Sequence, residues 1–421
     1  MVYTEEEYEK RIAALFERHQ SVQSVGFNSD AYKPGLGGMQ ALDEVLGHPW
    51  THYRCVHVAG TNGKGSVASM LAAALSSDGL KVGLYTSPHL IDFRERMKLI
   101  SGGGSTMPAK EWVWDFLEEH EKYLEGRSFF EITTGMAFKW FECMGVDMAV
   151  IEVGLGGRLD STNIITPSLS VVTSIGLDHC AILGDTRAKI AYEKAGIFKP
   201  GVPAVVGYRD DETAEVFEKT AAETGCPLKF ADCDKPMSYA AKHNVLRLDL
   251  KGPCQQENLR TVFVALKMLK PGCNPEDYVR AISRTGSITA FRGRWEKLGT
   301  KPEVICDIGH NPPALKANFE RLAELGRPLI IVYGVMADKD LDGIAPLMPT
   351  ARYILCAPAT SRAMDAGTLR SRLALLRPEL DTVAAPSVAA AVQQALTEAS
   401  GMDNPLIYIG GSTFVVSEAV K

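Results

Sequence analysis

Hydrophobic and polar positions follow two different periods along the chain. Residues 3–19 place Tyr8, Ile12, Leu15 and Phe16 at helical spacing with charged residues between them, which predicts an amphipathic surface helix. From residue 52 onward, short apolar runs typical of buried strands alternate with longer helical patterns. This repeated strand–helix order predicts an α/β fold whose mainly parallel sheets are covered by helices on both faces.

Three further features mark the organisation of the chain. Residues 22–38 are rich in Gly, Ser and Asn and predict a long loop. Residues 242–252 carry the pattern of an edge strand or a hairpin. The alternation restarts after residue 291, so we place a domain boundary near residues 288–296. The sequence therefore predicts an N-terminal parallel-sheet domain, residues 1–290, and a smaller Rossmann-like α/β domain, residues 291–421.

Composition narrows the classes of function. The chain has a net charge of −6 and a pI of about 5.9, so no overall positive field favours nucleic acid or an anionic membrane. Its nine cysteines form no CxxC pair, which argues against a zinc site and a disulfide framework and favours a reducing compartment. The N-terminus lacks the pattern of a signal peptide, and no apolar run approaches the roughly 18 residues of a membrane span. We expect a cytoplasmic protein.

The strongest chemical signal is the segment HVAGTNGKGS, residues 57–66, which follows a predicted strand and opens a predicted helix. Glycines let backbone N–H groups approach phosphate oxygens, and the helix N-terminus adds positive potential. The segment departs from the usual phosphate-loop spacing because Gly65 separates Lys64 from Ser66. We predict that Lys64 reaches the β and γ phosphates and Ser66 holds Mg²⁺; the alternative is a glycine-rich turn with an exposed lysine. The predicted ATP-binding residues of this P-loop are Gly60, Thr61, Asn62, Gly63, Lys64, Gly65 and Ser66.

Further motifs extend this signal along the chain. In order, they are SPHLIDFRERM from Ser87, EVGLGGRLDSTN from Glu152, GLDHCAILGDT with EKAGIFKPG from Gly176, and DIGHNP from Asp307. Together with AGTNGKGSV they resemble the Mur-type ligases, and in particular the branch of folylpolyglutamate synthases and dihydrofolate synthases. The resemblance runs from about residue 20 to the C-terminus.

The resemblance implies a metal and phosphate shell. It makes Ser66, Ser87, Glu152 and His179 metal ligands. Glu152 also suits this role on position alone, since a carboxylate at the carboxyl edge of a parallel sheet is well placed for Mg²⁺; the alternative is a solvated strand end. For His179 the alternative is a structural histidine. Lys194 matches the family lysine that carries a carbamate, a modification that requires a neutral amine.

The resemblance also assigns nucleotide-contacting and catalytic residues. Asn258 matches the asparagine that reads adenine, although Cys254 stands where relatives often have His or Tyr. Arg294 matches a phosphate-gripping arginine, with Arg292 as an extra cation, and Asp307 matches a ribose contact. The implied catalytic residues are Lys64, Lys194, His310 and Arg294.

Two substrate regions are less specific. Arg158 and Asn163 suit either contact with substrate or phosphate or an Asx-type turn. The pterin is expected near residues 24–39 and the SPHL segment, where Phe27, Tyr32 and Phe93 could stack on it. By resemblance, Asn311 lies with His310 in the cleft and glutamate binds near His310 and Ser412.

The implied reaction is ATP-dependent addition of L-glutamate to dihydropteroate, to a reduced folate or to both, through an acyl phosphate. The expected partners are therefore small molecules, and the expected state is a monomer. Whether the protein also binds K⁺ stays an open question. Two alternatives remain: another Mur-type ligase, such as a cell-wall amino-acid ligase, although little room precedes Gly60 for its usual uridine-nucleotide domain, and a non-catalytic ATP-gated binding protein.

Overall fold

The computed structural model describes residues 3–19, 33–233 and 247–421. The chain divides into two compact units. The first comprises Met1–Asp249 and Gln255–Phe291, and the second comprises Leu250–Cys254 and Arg292–Lys421. Each unit is built on its own sheet.

The described part of the first unit holds one eight-stranded sheet. Its strands are β1 (Arg54–Ala59), β2 (Val82–Tyr85), β3 (Met97–Ser101), β4 (Gly104–Thr106), β5 (Met148–Glu152), β6 (Leu169–Val172), β7 (Ala204–Val206) and β8 (Leu228–Phe230). The spatial order is β4-β3-β2-β5-β1-β6-β7-β8. The pairs β2–β3 and β3–β4 are antiparallel and the other pairs are parallel. β5 and β1 therefore lie at the centre, where every residue of β5 is buried.

Helices flank this sheet. They are α1 (Glu5–Arg18), α2 (Gly37–Leu46), α3 (Lys64–Ser76), α4 (Lys110–Leu124), α5 (Phe129–Cys143), α6 (Cys180–Leu183), α7 (Arg187–Ala195), α8 (Ala214–Thr224), α9 (Gln255–Leu269), α10 (Val279–Ile282) and α11 (Thr285–Thr289). α3 is buried from Gly65 to Ser76, which explains its small and apolar sequence, because a helix that is apolar on all sides is a core helix. α5 begins with a capping box between Ser128 and Glu131.

The second unit holds a six-stranded sheet. Its strands are β9 (Glu296–Thr300), β10 (Glu303–Cys306), β11 (Leu329–Tyr333), β12 (Arg352–Leu355), β13 (Asp381–Ala384) and β14 (Leu406–Gly410), in the order β13-β12-β11-β14-β10-β9. Only β9 runs antiparallel among them. The helices are α12 (Pro312–Glu324), α13 (Leu341–Ile344), α14 (Ala366–Leu376), α15 (Val388–Ala399) and α16 (Thr413–Ala419). The predicted α/β fold is confirmed.

The local predictions fail at several edges. The strand or hairpin expected at residues 242–252 is wrong for its described part: residues 247–252 form no strand, because Asp249 instead binds the turn at Gly286 and Ser287 through its carboxylate. The strands β3, β4, β8 and β9 were not predicted. Most of the predicted 22–38 loop, with Phe27 and Tyr32, lies outside the described residues.

Within the described ranges, no helix combines the length and the apolar character required to cross a membrane.

Candidate active site

The predicted site residues of the first unit follow neighbouring strands at one edge of the sheet. The phosphate loop follows β1, Ser87 lies two residues after β2, Glu152 ends β5, and His179 lies in the segment after β6. The order β2-β5-β1-β6 is parallel throughout, so these four carboxyl ends share one edge. Ligands of open α/β sheets bind at this edge.

The phosphate loop has the backbone of an anion-binding turn. Gly63, the residue before α3, has φ +87°, and no side chain caps the helix there. A Cβ at Gly63 would lie 2.3 Å from Asn258 Oδ1, so only glycine fits without displacement. The segment after β6 anchors the loop: Ser174 Oγ accepts from the Asn62 N–H at 3.1 Å, and Thr61 Oγ1 donates to Gly176 O at 3.1 Å. The N–H groups of the first helical turn are therefore held in a fixed frame of the kind that binds anions.

Two lysines converge on this loop. Lys64 Nζ donates to Gly60 O at 3.0 Å and to Thr61 O at 3.2 Å, and Lys194 Nζ donates to the same Gly60 oxygen at 2.9 Å. Lys194 is only 3% exposed. Burial lowers its pKa to about 7, the nearby charge of Lys64 lowers it further, and Asp178 opposes the shift. The two lysine side chains therefore lie side by side against the Gly60 carbonyl of the phosphate loop.

The carboxylate of Glu152 lies between the SPHL segment and the phosphate loop. Glu152 is 3% exposed, and its Oε2 accepts from the Ser87 N–H at 3.0 Å. A Cβ at Gly65 would lie 3.3 Å from the same oxygen, which places the carboxylate against the start of α3. The structure therefore brings Glu152 close to Ser87 and to the turn that carries Ser66. Carboxylate and hydroxyl oxygens are the donors Mg²⁺ prefers, so these residues fit a magnesium ion.

His179 follows Asp178 at the start of a short helix. It is the residue before α6, with φ +53°, and its Nε2 is 3.7 Å from Asp178 Oδ2. Within the described ranges, no group of three or more His, Cys, Asp or Glu side chains is spaced to hold a metal. The role of His179 as a metal ligand stays a prediction.

Arg158 and Asn163 take part in local structure. Arg158 Nη2 pairs with Glu193 Oε1 at 2.8 Å, and Asn163 Nδ2 donates at 3.0 Å to both Arg158 O and Gly196 O. Asp160 Oδ1 accepts from the Thr162 N–H at 3.0 Å, which is the Asx-type turn considered for this segment.

The same segment is tied to β1 beneath the loop. His57 Nε2 lies 2.8 Å from Thr162 Oγ1, whose hydroxyl donates to Asp160 Oδ1. Burial lowers the pKa of His57 to about 3, with a smaller contribution from Lys199, so the ring is neutral. This series of hydrogen bonds was not predicted, because nothing in the sequence indicates which side chains a histidine within a strand will contact.

The start of α9 contacts the phosphate loop through two amide side chains. Asn258 is 7% exposed, lies against Gly63, and donates through Nδ2 to Gln255 Oε1 at 3.0 Å. Gln255 Nε2 in turn donates to Ser66 Oγ at 3.2 Å. Cys254, where relatives often have His or Tyr, is exposed. The predicted adenine contact thus lies beside the phosphate loop, and the sequence analysis gave Gln255 no role.

Two contacts near the end of the first unit, made by Phe291 and Lys98, were not predicted. A Cβ at Gly65 would lie 2.8 Å from Phe291 Cζ, so the Phe291 ring covers the start of α3. The buried Lys98 on β3 donates at 2.9 Å to Thr289 O and Ala290 O, just before that ring. Burial lowers the pKa of Lys98 to about 8. Neither contact has a sequence signal, because 191 positions separate Lys98 from Thr289 and a still longer stretch separates Gly65 from Phe291.

In the second unit, Asp307 organises the DIGHNP turn. Its Oδ2 accepts from the Trp295 N–H at 2.9 Å, next to Arg294, and its Oδ1 accepts from the Gly309 N–H at 2.8 Å. His310 Nδ1 lies 3.1 Å from Ile308 O, which turns the ring back onto its own loop. Asp307 therefore positions the arginine turn and the histidine turn together.

Asn311 and Ser412, which were expected near the glutamate site, each cap the start of a helix. Asn311 Oδ1 caps α12 through the Ala314 N–H at 3.1 Å, with Pro312 at the first helical position. Ser412 Oγ caps α16 in the same way through the Val415 N–H at 3.1 Å. No observation tests the ligand roles of His310, Arg294 or Asp307, which stay predictions.

Two family models match the chain. The Mur ligase middle domain matches residues 58–252, and the Mur ligase glutamate ligase domain matches residues 293–412. The fold and the site thus define a protein of the Mur ligase class.

Curated relatives narrow the class. The dihydrofolate synthase/folylpolyglutamate synthase of Haemophilus influenzae is 31% identical over 417 residues, covering 92% of this chain and 93% of the relative. The probable bifunctional folylpolyglutamate synthase/dihydropteroate synthase of Haloferax volcanii is 35% identical and covers 92% of this chain. This chain spans about half, 48%, of that longer relative. The chain belongs to the dihydrofolate synthase/folylpolyglutamate synthase family, as its motifs indicated.

Solved structures agree with this placement. Escherichia coli FolC in complex with DHPP and ADP has a TM-score of 0.79 at 27% identity, covering 98% of this chain and 96% of that chain. A bifunctional folylpolyglutamate synthase/dihydrofolate synthase with Mn, AMPPNP and L-glutamate bound has a TM-score of 0.79 at 27% identity, covering 98% and 97%.

Proposed function

We propose that this chain is an ATP-dependent ligase that adds L-glutamate to dihydropteroate and to reduced folates through an acyl phosphate. The convergence of Lys64 and Lys194 on Gly60 O, at the open N-terminus of α3, carries the proposal. The solved relative with Mn, AMPPNP and L-glutamate supports ATP, a divalent cation and glutamate as ligands, and the complex with DHPP supports a pterin.

Amide formation from a carboxylate requires an activated carboxyl group. The γ-phosphate of ATP is transferred to the carboxylate of the pterin substrate, and ADP leaves. The amine of glutamate then attacks the acyl carbon, the bond to phosphate breaks, and the amine loses a proton. Catalysis of phosphoryl transfer rests mainly on positioning and charge neutralisation.

Each loop residue has a defined part in that step. The first N–H groups of α3 bind phosphate oxygens, and Lys64 supplies positive charge to the β and γ phosphates. Ser66, Ser87 and Glu152 would hold a divalent cation, with His179 as a further ligand. When bound, that cation neutralises charge on the phosphates. Arg294 and Asp307 are assigned to phosphate and ribose, and Asn258 to adenine.

Lys194 suits a carbamate. Its pKa of about 7 leaves a large fraction of the amine neutral near physiological pH, and a neutral amine can attack CO₂. The N–C bond forms and one proton is lost, so the neutral amine becomes an anionic carbamate. The change would remove the repulsion between Lys194 and Lys64. An intact mass 44 Da higher, measured with bicarbonate and absent in Lys194→Arg, tests this proposal.

We place the pterin in the first unit, near the SPHL segment, and glutamate in the second, near His310 and Ser412. Phe93 is buried in the first-unit core beside Phe16, with ring centroids 6.2 Å apart, so a stacking role would require it to move. The monomeric state stays a prediction.

ADP release with ATP, Mg²⁺ and glutamate tests the function. Three reactions are compared: dihydropteroate, a reduced folate monoglutamate and no pterin. Release with both pterins, each product one glutamate heavier, is the expected result. Release with one pterin would restrict the enzyme to that reaction. Nucleotide binding without pterin-dependent release would overturn the folate assignment and favour a different carboxylate substrate or an ATP-gated binding protein.

A further inference from the structure

A buried glutamine touches the hydroxyl that the phosphate loop offers to a metal. Gln255 is the first residue of α9 and is 5% exposed, while Ser66 in the first turn of α3 is 1% exposed. Gln255 Nε2 donates to Ser66 Oγ at 3.2 Å. The bond joins residues 189 positions apart in sequence across the packed helices α3 and α9.

The orientation of this glutamine is fixed from its other end. Asn258 lies one helical turn further along α9, on the same face, and its Nδ2 donates to Gln255 Oε1 at 3.0 Å. Asn258 is itself confined, because its Oδ1 lies against Gly63. With its oxygen facing Asn258, the amide of Gln255 presents its N–H group to Ser66.

This donor restricts what the serine hydroxyl can do. A hydroxyl has one hydrogen to donate and two lone pairs that accept. Because Gln255 donates to one lone pair, the hydrogen cannot point toward Gln255. One lone pair and the hydrogen share the remaining directions, so Ser66 keeps a single oriented lone pair for a cation.

We propose that Gln255 is a positioning residue that orients Ser66 Oγ toward the divalent cation of a bound metal–nucleotide and couples it to Asn258, the assigned adenine contact. The proposal rests on the proposed function only in taking Ser66 as a ligand of that cation. Gln255 acts through Ser66 and is not itself a ligand. Outer-shell partners of this kind contribute roughly 10- to 100-fold to metal affinity.

The test separates metal binding from nucleotide binding. The Kd of ADP is measured by calorimetry in EDTA and again with Mn²⁺, and bound Mn²⁺ is counted by electron paramagnetic resonance. In Gln255→Leu, the Mn²⁺-dependent gain in ADP affinity is expected to fall about tenfold or more. The matched control is Gln256→Leu, because Gln256 is the adjacent residue of the same type and is exposed; it should keep the wild-type gain.

If Gln255 only maintains the structure of the loop, the ADP affinities of Gln255→Leu will change in a different way. General damage to the loop would weaken ADP equally with and without Mn²⁺, and an unchanged gain in Gln255→Leu would overturn the proposal. In a Ser66→Ala background, Gln255→Leu should cause no further loss of the gain; a full additional loss would also overturn it. If Gln255→Leu does not fold, Gln255→Asn, whose shorter side chain cannot span Ser66 and Asn258, is measured instead.

Failure of the ligase function would look different again. Wild-type protein with an intact Mn²⁺-dependent gain but no pterin-dependent ADP release would overturn the proposed function alone. Wild-type protein whose ADP affinity is the same in EDTA and in Mn²⁺ would overturn the role of Gln255.

Discussion

The phosphate loop of the first unit and the DIGHNP turn of the second occupy equivalent places, since each joins the carboxyl end of a parallel strand to a helix. They differ in how the helix begins. At α3, Gly63 has no side chain to cap the first turn. At α12, Asn311 accepts from the Ala314 N–H, Pro312 fills the first position, and the nearby Gly309 N–H is bonded to Asp307.

The same strand–turn–helix geometry therefore suits two different purposes. The first N-terminus leaves its N–H groups for an anion and adds lysines beside them. The second satisfies its own N–H groups and uses its residues to hold side chains in place.

Removal of the loop cation should have the largest effect. We expect Lys64→Met to lower kcat roughly 10²- to 10³-fold, as loss of a group that stabilises transition-state charge does. Steady-state ADP release measures it. Lys219→Met, a change at an exposed lysine of α8, is the control. Near-normal turnover in Lys64→Met would contradict the assignment of the phosphate loop as the site that binds the ATP phosphates.

The buried Lys194 should make stability depend on pH. Its folded pKa of about 7 lies below the ordinary value of 10.5, so between these values the unfolded chain binds more protons. Stability relative to Lys194→Met should therefore rise with pH across that window, by at most about 1.4 kcal/mol per unit.

Urea unfolding of both proteins at several pH values, in buffer free of CO₂, measures this difference. A flat difference from pH 7 to 10 would mean that burial does not lower the pKa of Lys194 in the folded protein.

Glycine-to-alanine changes compare the two turns directly. Gly63→Ala must adopt φ +87° and meets Asn258 Oδ1, whereas Gly309→Ala meets Asp307 Oδ1 at 2.9 Å without a positive φ. Left-handed backbone costs an alanine about 1–2 kcal/mol, so ADP affinity should fall about tenfold in Gly63→Ala. Calorimetry measures both variants. Equal losses would contradict the view that only the first turn binds the nucleotide phosphates through its backbone.

Loss of the second helix cap should have the smallest effect. Asn311→Ala removes the bond to the Ala314 N–H and should lower the free energy of unfolding by about 1 kcal/mol. Chemical denaturation measures the loss, with Asn311→Asp as the variant that keeps a cap. No difference between the alanine and aspartate variants would show that the cap does not stabilise α12.

The sequence predicted the parallel strands and long helices well because their signals are local. Apolar runs such as VDMAVIEVG and the capped start at Asn311 carry their own periodicity or punctuation. The antiparallel strand β9 and the hairpin of β3 and β4 were missed, since a short edge strand is defined by its partner and not by its own pattern. The prediction for residues 247–252 failed for the converse reason: among the described residues no strand pairs with this segment, and Asp249 binds a turn instead.

The residue types of the site can be recognised from contiguous motifs along the chain: the glycines of the loop, Lys64, Ser66, Glu152 and the DIGHNP turn. Which of these groups contact one another depends on the folded chain. Lys194 reaches Gly60 across 134 positions, and Gln255 reaches Ser66 across 189. The physical reason is that charge and hydrogen bonding act over a few ångströms in space, so partners distant along the chain are fixed by packing, which a linear pattern does not encode.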